Sequence, residues 1–491
     1  MALGKSEPIP TLLEESVAGR IGFSLPEEPS DTQQLVEETI PAALRRGQAP
    51  KLPELSEVQV VRHFTRLSER TVGVDTTFYP LGSCTMKYNP KINELVASFD
   101  GFVWTHPWQP ASSLQGLLEI YYELSHLLGE LTGLPGVSLQ PAAGAHGEFT
   151  ALLVVRAFFD ARGERDRREV LIPDTAHGTN PASAARCGFE TRTLKSLEGR
   201  LDLKALEQAL NNKTACLMIT NPNTLGLFER DIARIAKLVH EAGGLVYLDG
   251  ANFNALVGRV RPSDFGADLM HLNLHKTFSV PHGSGGPGAG PICVREDLAK
   301  YLPLPWVLKE GNSSFRLVTE HPCSVGKVRC FLGNIPNIVR AYTYLRQLGL
   351  SGLRDVSGHA VLNANYLLHL VKEHYDVPYG NRCMHEFVID GTRQKKAGVK
   401  ALDIAKKLLD YGFHPPTTYF PLIVPEALMI EPTETENKHT LEEFAQAMIE
   451  IAEMAETKPE EVTCAPVTTP VSRLDELAAA RAPVLVWPEG S

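Results

Sequence analysis

Four short apolar runs constrain the fold more than any other feature of this sequence. They are Glu169–Pro173, Thr214–Thr220, Gly244–Asp249 and Asp268–Leu274. Each has the length of a β-strand and little polar alternation, which is typical of strands buried on both faces of a sheet. Between the second and third runs, residues 229–241 carry apolar side chains at helical spacing. A strand, a helix and a strand in succession predict an α/β fold around a mostly parallel sheet.

Polar residues follow each of these runs. The polar clusters are His177-Gly-Thr-Asn180, Asn221-Pro-Asn-Thr224, Asp249-Gly-Ala-Asn252 and His275-Lys276. Open α/β sheets bind their ligands at the carboxyl ends of the strands, where these clusters are expected to lie. The sequence therefore predicts one ligand site built from all four clusters.

The charge balance narrows the kind of ligand. The formal net charge is −10, and 43% of the residues are hydrophobic. This composition is typical of a folded globular protein. Lys and Arg are not clustered, which argues against a nucleic-acid or anionic-membrane surface. We therefore expect small molecules and proteins as partners, with no nucleic acid and no membrane.

The eight cysteines are scattered, without a C-x-x-C pair or zinc-like spacing, so we predict a reducing compartment and no metal site. The first residues lack the apolar core of a signal peptide, and no apolar run approaches the roughly 20 residues of a membrane span. The sequence thus predicts a cytoplasmic location.

The pattern divides the chain into four segments. Residues 1–95 are rich in Pro and Glu and are predicted to form an N-terminal arm that packs against something else. Residues 96–340 contain the strand runs and form the predicted large domain. Residues 341–457 combine helices with the strands His385–Asp390 and Leu428–Glu431, which predicts a smaller α+β domain. Residues 458–491 are a predicted tail.

The sequence suggests a pyridoxal-phosphate (PLP) site, which needs an amine, an acid, a phosphate cup and a flat group over the ring. Lys276 follows an apolar strand, where a partly desolvated amine can form a Schiff base. The alternative is a solvated surface lysine. Asp249 ends another strand, so its carboxylate could pair with a pyridinium nitrogen. Its alternative role is to cap the following turn.

Residues 140–147 supply the other two requirements. Gly144 and Ala145 precede an apolar helix predicted over Phe149–Phe159, so free backbone amides there could bind a phosphate. His146 could cover the cofactor ring. The alternatives are a simple turn for the glycine loop and a local hydrogen bond for the histidine.

Two longer runs resemble one family in particular. They are Tyr79-Pro-Leu-Gly-Ser-Cys-Thr-Met-Lys-Tyr-Asn89 and His275-Lys-Thr-Phe-Ser-Val-Pro-His-Gly-Ser-Gly-Gly-Pro-Gly288. With Trp108-Gln-Pro110, His385-Glu-Phe387 and Leu428-Met-Ile-Glu-Pro-Thr-Glu434, the chain resembles the PLP-dependent glycine decarboxylase, the P-protein of the glycine cleavage system. The resemblance extends over nearly the whole chain and is to the lysine-bearing second subunit of the two-subunit form.

The resemblance implies PLP fold type I, with PLP held covalently on Lys276 and paired with Asp249. It also implies that His146 stacks on the ring. The remaining cofactor-binding residues that it implies are Gly144, Ala145, Asn223, Asn252 and His275.

The resemblance further implies decarboxylation of glycine and transfer of the aminomethyl group to the lipoyl group of the H-protein. Such an arm needs a channel, for which His177, Thr179 and the loop from His282 to Gly288 are candidates. The implied partners are the homologous first subunit, with two copies of each, and the lipoylated H-protein.

Alternatives remain at this point. A transaminase or a cysteine desulfurase would share the cofactor residues, and a non-catalytic scaffold subunit would share the fold. No motif identifies an arginine that holds the substrate carboxylate, although Arg329 and Arg393 are possible. This absence favours decarboxylation, because a tightly paired carboxylate is a stabilised ground state.

Overall fold

The computed structural model describes residues 8–48, 50–283 and 288–485. They form two compact units. One unit is Thr77–Ala465, and the other contains the described residues of 1–76 and 466–491. In the part of the chain that the structure describes, no helix is long and apolar enough to cross a membrane.

The regular elements are defined as follows. The helices are α1 (Thr32–Thr39), α2 (Glu57–Glu69), α3 (Lys91–Ala97), α4 (Asp100–Val103), α5 (Gln115–Thr132), α6 (Gly144–Ala161), α7 (Thr179–Arg186), α8 (Leu203–Ala209), α9 (Ile232–Glu241), α10 (Ile335–Val371), α11 (Thr392–Lys396), α12 (Ala401–Asp410), α13 (Lys438–Thr457), α14 (Pro459–Thr463) and α15 (Glu476–Arg481). The strands are β1 (Gly136–Ser138), β2 (Glu169–Pro173), β3 (Glu190–Leu194), β4 (Ser196–Leu197), β5 (Arg200–Leu201), β6 (Thr214–Thr220), β7 (Leu245–Gly250), β8 (Leu269–Leu272), β9 (Ile292–Val294), β10 (Trp306–Glu310), β11 (Ser314–Val318), β12 (Phe387–Asp390), β13 (Thr417–Thr418) and β14 (Ala427–Ile430).

A seven-stranded sheet forms the centre of the larger unit, with the strand order β1-β9-β8-β7-β6-β2-β3. The five strands from β8 to β3 in that order are parallel to their neighbours. Strand β9 is antiparallel to both β8 and β1. The predicted mostly parallel sheet is therefore confirmed.

Burial explains why the predicted strands form. All seven residues of β6 and all six of β7 are buried, so both faces of these strands are covered. Helix α9 packs its apolar stripe on the sheet, with Ile232, Ile235 and Val239 buried. Burial of each such side chain stabilises the fold by about 1.5–3 kcal/mol. Continuous apolar runs on a sheet covered on both faces produce the core of this unit.

A second, smaller sheet has the order β12-β14-β13 and is antiparallel. Its apolar side chains form a core with those of α12, α13 and the second half of α10. The side chain of Asn437 begins α13 by accepting a hydrogen bond from the Thr440 N–H. An α+β arrangement thus lies in the C-terminal part of this unit, and the boundaries at 340 and 457 stay predictions.

The other unit contains α1, α2 and α15. Reciprocal hydrogen bonds between Ser56 and Gln59 begin helix α2. Large apolar side chains are exposed here, including Phe23 and Leu25, each 81% accessible. The predicted boundary of the arm at residue 95 stays a prediction.

The bounds of several elements differ from the sequence-based prediction. Helix α6 begins at Gly144 rather than Phe149, because the small residues of the polar loop already adopt helical geometry. Strand β8 ends at Leu272, two residues before its predicted end, and residues 274–278 form turns. Helix α10 is broken at Gly349, whose φ is +60°, so this segment consists of two consecutive helices.

Glu229, between β6 and α9, makes stability depend on pH. Burial raises the pKa of its carboxyl to about 7, although Asn223 and the Leu201 N–H donate hydrogen bonds to it. The folded chain therefore keeps a proton that the unfolded chain loses near pH 4.5. As the pH rises from about 4.5 to about 7, the contribution of Glu229 to the free energy of unfolding therefore falls by about 3 kcal/mol.

We expect Glu229→Gln to remove this contribution. The urea midpoint of the variant should fall less than that of the parent between pH 5 and pH 8. Glu207→Gln, which changes a half-exposed glutamate paired with Arg234, is the matched control and should follow the parent. Parallel pH curves for Glu229→Gln and the parent would contradict the assignment.

Candidate active site

The register of the parallel strands brings three polar side chains together. Asp249 at the end of β7 pairs with Thr220 of β6 on one side and with His271 of β8 on the other. All three residues are buried. The carboxyl edge of the sheet therefore carries buried polar side chains.

Asp249 is held as an anion although it is only 2% exposed. Its carboxylate accepts hydrogen bonds from the Ala251 N–H at 3.0 Å and from Asn180 Nδ2 at 3.1 Å. His271 Nε2 lies 3.6 Å from Oδ1. Burial alone would raise the pKa of Asp249, but His271, these hydrogen bonds and Lys276 together lower it. A buried carboxylate that stays ionised can pair with a cationic ligand nitrogen.

Lys276 lies in the turn that follows β8. Its N–H donates to the Asn273 carbonyl at 3.1 Å, and its side chain is partly buried. Its ammonium acts electrostatically on Asp249, His177 and Glu148, and in each case it favours the form of lower positive charge. The lysine is therefore placed at the site edge rather than on an open surface.

The start of α6 forms the next wall. Gly144 is packed so tightly that a Cβ atom there would lie 2.6 Å from Asn273 Nδ2. His146 accepts a hydrogen bond at Nδ1 from the Ala142 N–H at 3.1 Å. It lines a cavity of about 510 Å³ together with Ala145, Phe149, Thr179, Ala182, Ser183, Arg186 and Val328. Burial, Arg329 and Arg186 lower the pKa of His146, so the ring is neutral.

His177 and Thr179 are linked to the same wall through Glu148. The Thr179 hydroxyl donates to Glu148 Oε1 at 2.8 Å, and the Thr179 N–H donates to His177 Nδ1 at 3.2 Å. Burial and the charge of Asp249 raise the pKa of Glu148 to about 7. Burial lowers the pKa of His177. Both predicted channel residues thus lie beside the site.

His275 is in contact with two parts of the site wall. Its Nε2 lies 3.2 Å from Asn273 Nδ2, and Nδ1 accepts from the Ala289 N–H at 3.4 Å. Burial and Lys276 lower its pKa to about 3, so the ring is neutral. His282 lies 5.7 Å from it, between ring centroids. In the loop from His282 to Gly288, residues 284–287 lie outside the described residues.

The two predicted asparagines have different surroundings. Asn252 Nδ2 donates to the Pro222 carbonyl at 2.9 Å and to Glu386 Oε1 at 3.1 Å. The side chain of Asn223 is used within its own turn, where Oδ1 accepts from two backbone N–H groups and Nδ2 donates to the Gly199 carbonyl. The binding of a cofactor by Asn223 therefore stays a prediction. The alternative is that this side chain stabilises the turn.

Sequence reasoning missed several residues of the site. Asn180 and His271, which hold Asp249, and Glu148, which holds Thr179, were not assigned roles. A signal was available for Asn180 and Glu148, since both lie in or beside the quoted polar clusters. His271 lies inside an apolar strand run, where one polar residue is hard to distinguish from a buried structural histidine.

The loop of residues 79–89 is tied to the site by Lys87, whose side chain is 1% exposed. Its ammonium donates at 2.8 Å to Glu434 Oε1, Asn254 Oδ1 and the Thr277 carbonyl. The Thr277 carbonyl directly follows Lys276 in the chain. This buried ion pair thus fixes the backbone beside Lys276.

The same loop holds two buried glutamates. The Ser83 N–H donates to Glu386 Oε2 at 2.8 Å, and Thr85 donates to both oxygens of Glu431, at 2.6 and 2.8 Å. His385 Nε2 lies 3.9 Å from Glu386 Oε1 and 3.8 Å from Glu431 Oε1. The structure thus places two of the quoted signatures, His385–Phe387 and Leu428–Glu434, against a third.

The arrangement fits a PLP molecule. Several buried polar atoms around Asp249 and Lys276 have no partner among the described residues, namely Thr220 Oγ1, Asn180 Oδ1, Asn273 Oδ1 and Thr277 Oγ1. Leaving such atoms without a hydrogen bond is costly, which indicates a polar ligand. The donor set also contains an ionised acid, an amine and a helix N-terminus.

The two arginines considered for the substrate carboxylate differ. Arg393 donates to the Glu373 carbonyl and lies 3.4 Å from Asp376, so it is engaged away from the site. Arg329 has a buried Nη1 without a partner among the described residues. It also acts electrostatically on His146. Within the described part of the chain, Arg329 rather than Arg393 therefore has an N–H group left to bind a ligand.

Comparisons with solved structures show the fold. A crystal structure of an inhibitor-bound glycine decarboxylase (P-protein) of the glycine cleavage system matches with a TM-score of 0.73 and 21% identity, covering 87% of this chain and 100% of that one. A cysteine desulfurase from Thermococcus onnurineus matches with a TM-score of 0.61 and 14% identity, covering 77% of this chain and 95% of that one. The predicted PLP fold type I is confirmed.

Comparisons of sequence show the family. Residues 29–319 match the family described as glycine cleavage system P-protein, and residues 356–467 match the C-terminal domain of glycine dehydrogenase. A relative from Halalkalibacterium halodurans, named "Probable glycine dehydrogenase (decarboxylating) subunit 2", is 56% identical and covers 96% of this chain and 97% of its own. One of the same name from Shouchella clausii is 54% identical and covers 98% of each. The predicted resemblance is confirmed, and the chain belongs to the glycine cleavage system P-protein family.

Proposed function

We propose that this chain is the lysine-bearing second subunit of a glycine decarboxylase. It would release CO₂ from glycine and pass the aminomethyl group to the lipoyl group of an H-protein. The observation that carries the proposal is the joint placement of Lys276 and an ionised, buried Asp249 at one sheet edge. Relatives named as this subunit share 54–56% of its residues over nearly the whole length, which supports the same reaction.

PLP would be held by Lys276 through its amine and by Asp249 at the ring nitrogen. Gly144 and Ala145, at the N-terminus of α6, would hold the phosphate, and His146 would lie on the ring. His275, Asn252 and Asn223 are the further candidates of this set. When bound, PLP supplies a protonated pyridine ring that accepts the electron pair of the bond that breaks.

The residues of the chain itself control the charges of the site and exclude water from it. The Ala251 N–H, Asn180 and His271 stabilise the anionic form of Asp249. This carboxylate would keep the pyridine nitrogen of a bound PLP protonated. The neutral rings of His146 and His275 add no competing charge. Burial of the strand ends excludes water, which strengthens each of these interactions.

Glycine and the lipoyl arm must enter from the open side. Arg329, whose Nη1 has no partner among the described residues, is our candidate to orient the glycine carboxylate. His177, Thr179 and His282 are our candidates for the channel wall, since Lys276 acts electrostatically on both histidines and the Thr179 N–H donates to His177. The Glu148 carboxyl fixes Thr179, which keeps this wall in place.

The partners follow from the relatives' names. A "subunit 2" implies a first subunit, and we propose two copies of each. The exposed apolar side chains of the N-terminal unit support an association with that partner, because large apolar groups such as Phe23 and Leu25 are costly to leave in water. A cytoplasmic location stays part of this proposal.

We expect Lys276→Ala to abolish both cofactor attachment and activity. The assay is exchange of labelled bicarbonate into the glycine carboxyl, with the first subunit and the H-protein present. The parent should show a visible absorbance with PLP that the variant lacks. Lys237→Ala, which changes an exposed lysine on α9, is the control and should behave as the parent. Amino-group transfer to a keto acid without bicarbonate exchange would overturn the proposed function.

Asp249→Asn should leave the fold intact and lower kcat by roughly 100-fold or more, because the fixed charge opposite the ring nitrogen is lost. Asp264→Asn, in a surface pair with Arg261, is the control. The test compares exchange rates at saturating glycine with the cofactor absorbance of each protein. A variant of Asp249 with unchanged kcat would contradict the pairing.

A further inference from the structure

Glu386 and Glu431 form a buried pair that the proposed function leaves without a role. Both side chains are 0% exposed. One oxygen of each lies within 4.8 Å of the other and of a His385 ring nitrogen. Backbone N–H groups of Ser83 and Thr85 fix the two carboxyls in place. Two carboxyls held this closely, away from water, cannot both ionise without a large electrostatic cost.

His385 does not neutralise the pair. Its Nδ1 and Nε2 have no hydrogen-bond partner among the described residues, and burial with the charge of Lys276 lowers its pKa to about 3. The imidazole is therefore neutral at pH 7. Burial and mutual repulsion raise the pKa of Glu386 well above its ordinary value, and burial raises that of Glu431 to about 7.

The charged and titratable groups facing the pair decide how many protons it holds. Lys276 lowers the pKa of both carboxyls, while Glu434 raises that of Glu431. The Glu434 charge is itself engaged with Lys87 at 2.8 Å. The thiols of Cys84 and Cys383 face the pair with raised pKa values and stay protonated. Lys276 is thus the main cationic group acting on the pair, and one negative charge against one ammonium is the balanced state.

We propose that Glu386 and Glu431 hold one proton between them beside Lys276, and that the pair takes the ammonium proton of the arriving amino acid. Glycine enters with an ammonium group, which must lose a proton before its nitrogen can displace the amine of Lys276. In this step an N–H bond of glycine breaks and an O–H bond forms on the ionised glutamate. The proton then passes to the amine of Lys276 when that amine is released, so the pair ends with the single proton with which it began.

This inference rests on the proposed function for the identity of the amino acid, but the proton count can be measured without it. Infrared difference spectra report the C=O stretch of protonated carboxyl groups. We would record them on the full chain with its partner subunit, without cofactor, between pH 5 and pH 9. The parent minus the Glu386→Gln, Glu431→Gln double variant should retain a protonated-carboxyl band at pH 7.5.

Single variants keep the test independent of the double variant's folding. In Glu386→Gln or Glu431→Gln the remaining carboxyl has lost its charged neighbour, so its band should disappear at least one pH unit lower than in the parent. Glu442→Gln, which removes an exposed glutamate paired with Lys438, should give no band at pH 7.5. A parent without a variant-sensitive band at neutral pH would overturn the proposal.

Kinetics then test the role in proton transfer. Each single variant should lower kcat/KM for glycine in the bicarbonate exchange by about 100-fold. The ionisation in which the pair loses its last shared proton should also be absent from the pH profile of each single variant, which a merely structural defect would not cause. A pH profile of the same shape in the parent and in both single variants would overturn the role of the pair. A divalent cation found bound to the purified protein and lost in Glu431→Gln would also overturn it, since a coordinated pair holds no proton.

The proposed function and this inference fail differently. If the parent protein with its partner shows the carboxyl band but no bicarbonate exchange, the glycine reaction is wrong and the proton-holding pair stands. If exchange is normal but the band is absent, the pair is wrong and the reaction stands.

Discussion

The parallel pairing of β6, β7 and β8 is the constraint on which the rest of the site depends. It places Thr220, Asp249 and His271 side by side at one sheet edge, inside the protein. A carboxylate buried there would be unstable alone, so Asn180, the Ala251 N–H and His271 surround it. The start of α6 and the turn carrying Lys276 then close around this charge. The strand register thus determines where charge can exist in the core.

Where a single physical signal dominates, the sequence predicts the structure well. Strands β2 and β6 have the bounds that their apolar runs predict, because strands buried on both faces need a continuous run. Strand β9 has only three residues, so its sequence carries too little periodicity to be recognised. Its antiparallel pairing with β8 has no signal in the sequence either. The start of α6 was misplaced because Gly144 and Gly147 are poor helix formers.

The site was predictable to the extent that its residues follow strands. Lys276 and Asp249 belong to the polar clusters that follow strands, whereas His146 lies in the first turn of α6. Glu386 and Glu431 could not be found in this way, because their meeting depends on contacts between distant segments. Likewise, nothing in the run around Asn223 indicates that its side chain turns towards Gly199. Local pattern predicts which residues reach the edge of a strand, but only three-dimensional packing decides which way a side chain turns.

The contacts of the 79–89 loop also determine when, during synthesis of the chain, the site can form. Thr85 meets Glu431 across 346 residues, and Lys87 meets Glu434 across 347. The ribosome releases the 79–89 loop long before Glu431 and Glu434 are synthesised. Until then, Lys87 cannot form its ion pair with Glu434. Domains usually acquire structure as units during synthesis, but here the surroundings of Lys276 are completed only after almost nine-tenths of the chain has emerged. Release of the C-terminal segment, rather than formation of the sheet, is therefore the event that makes the site whole.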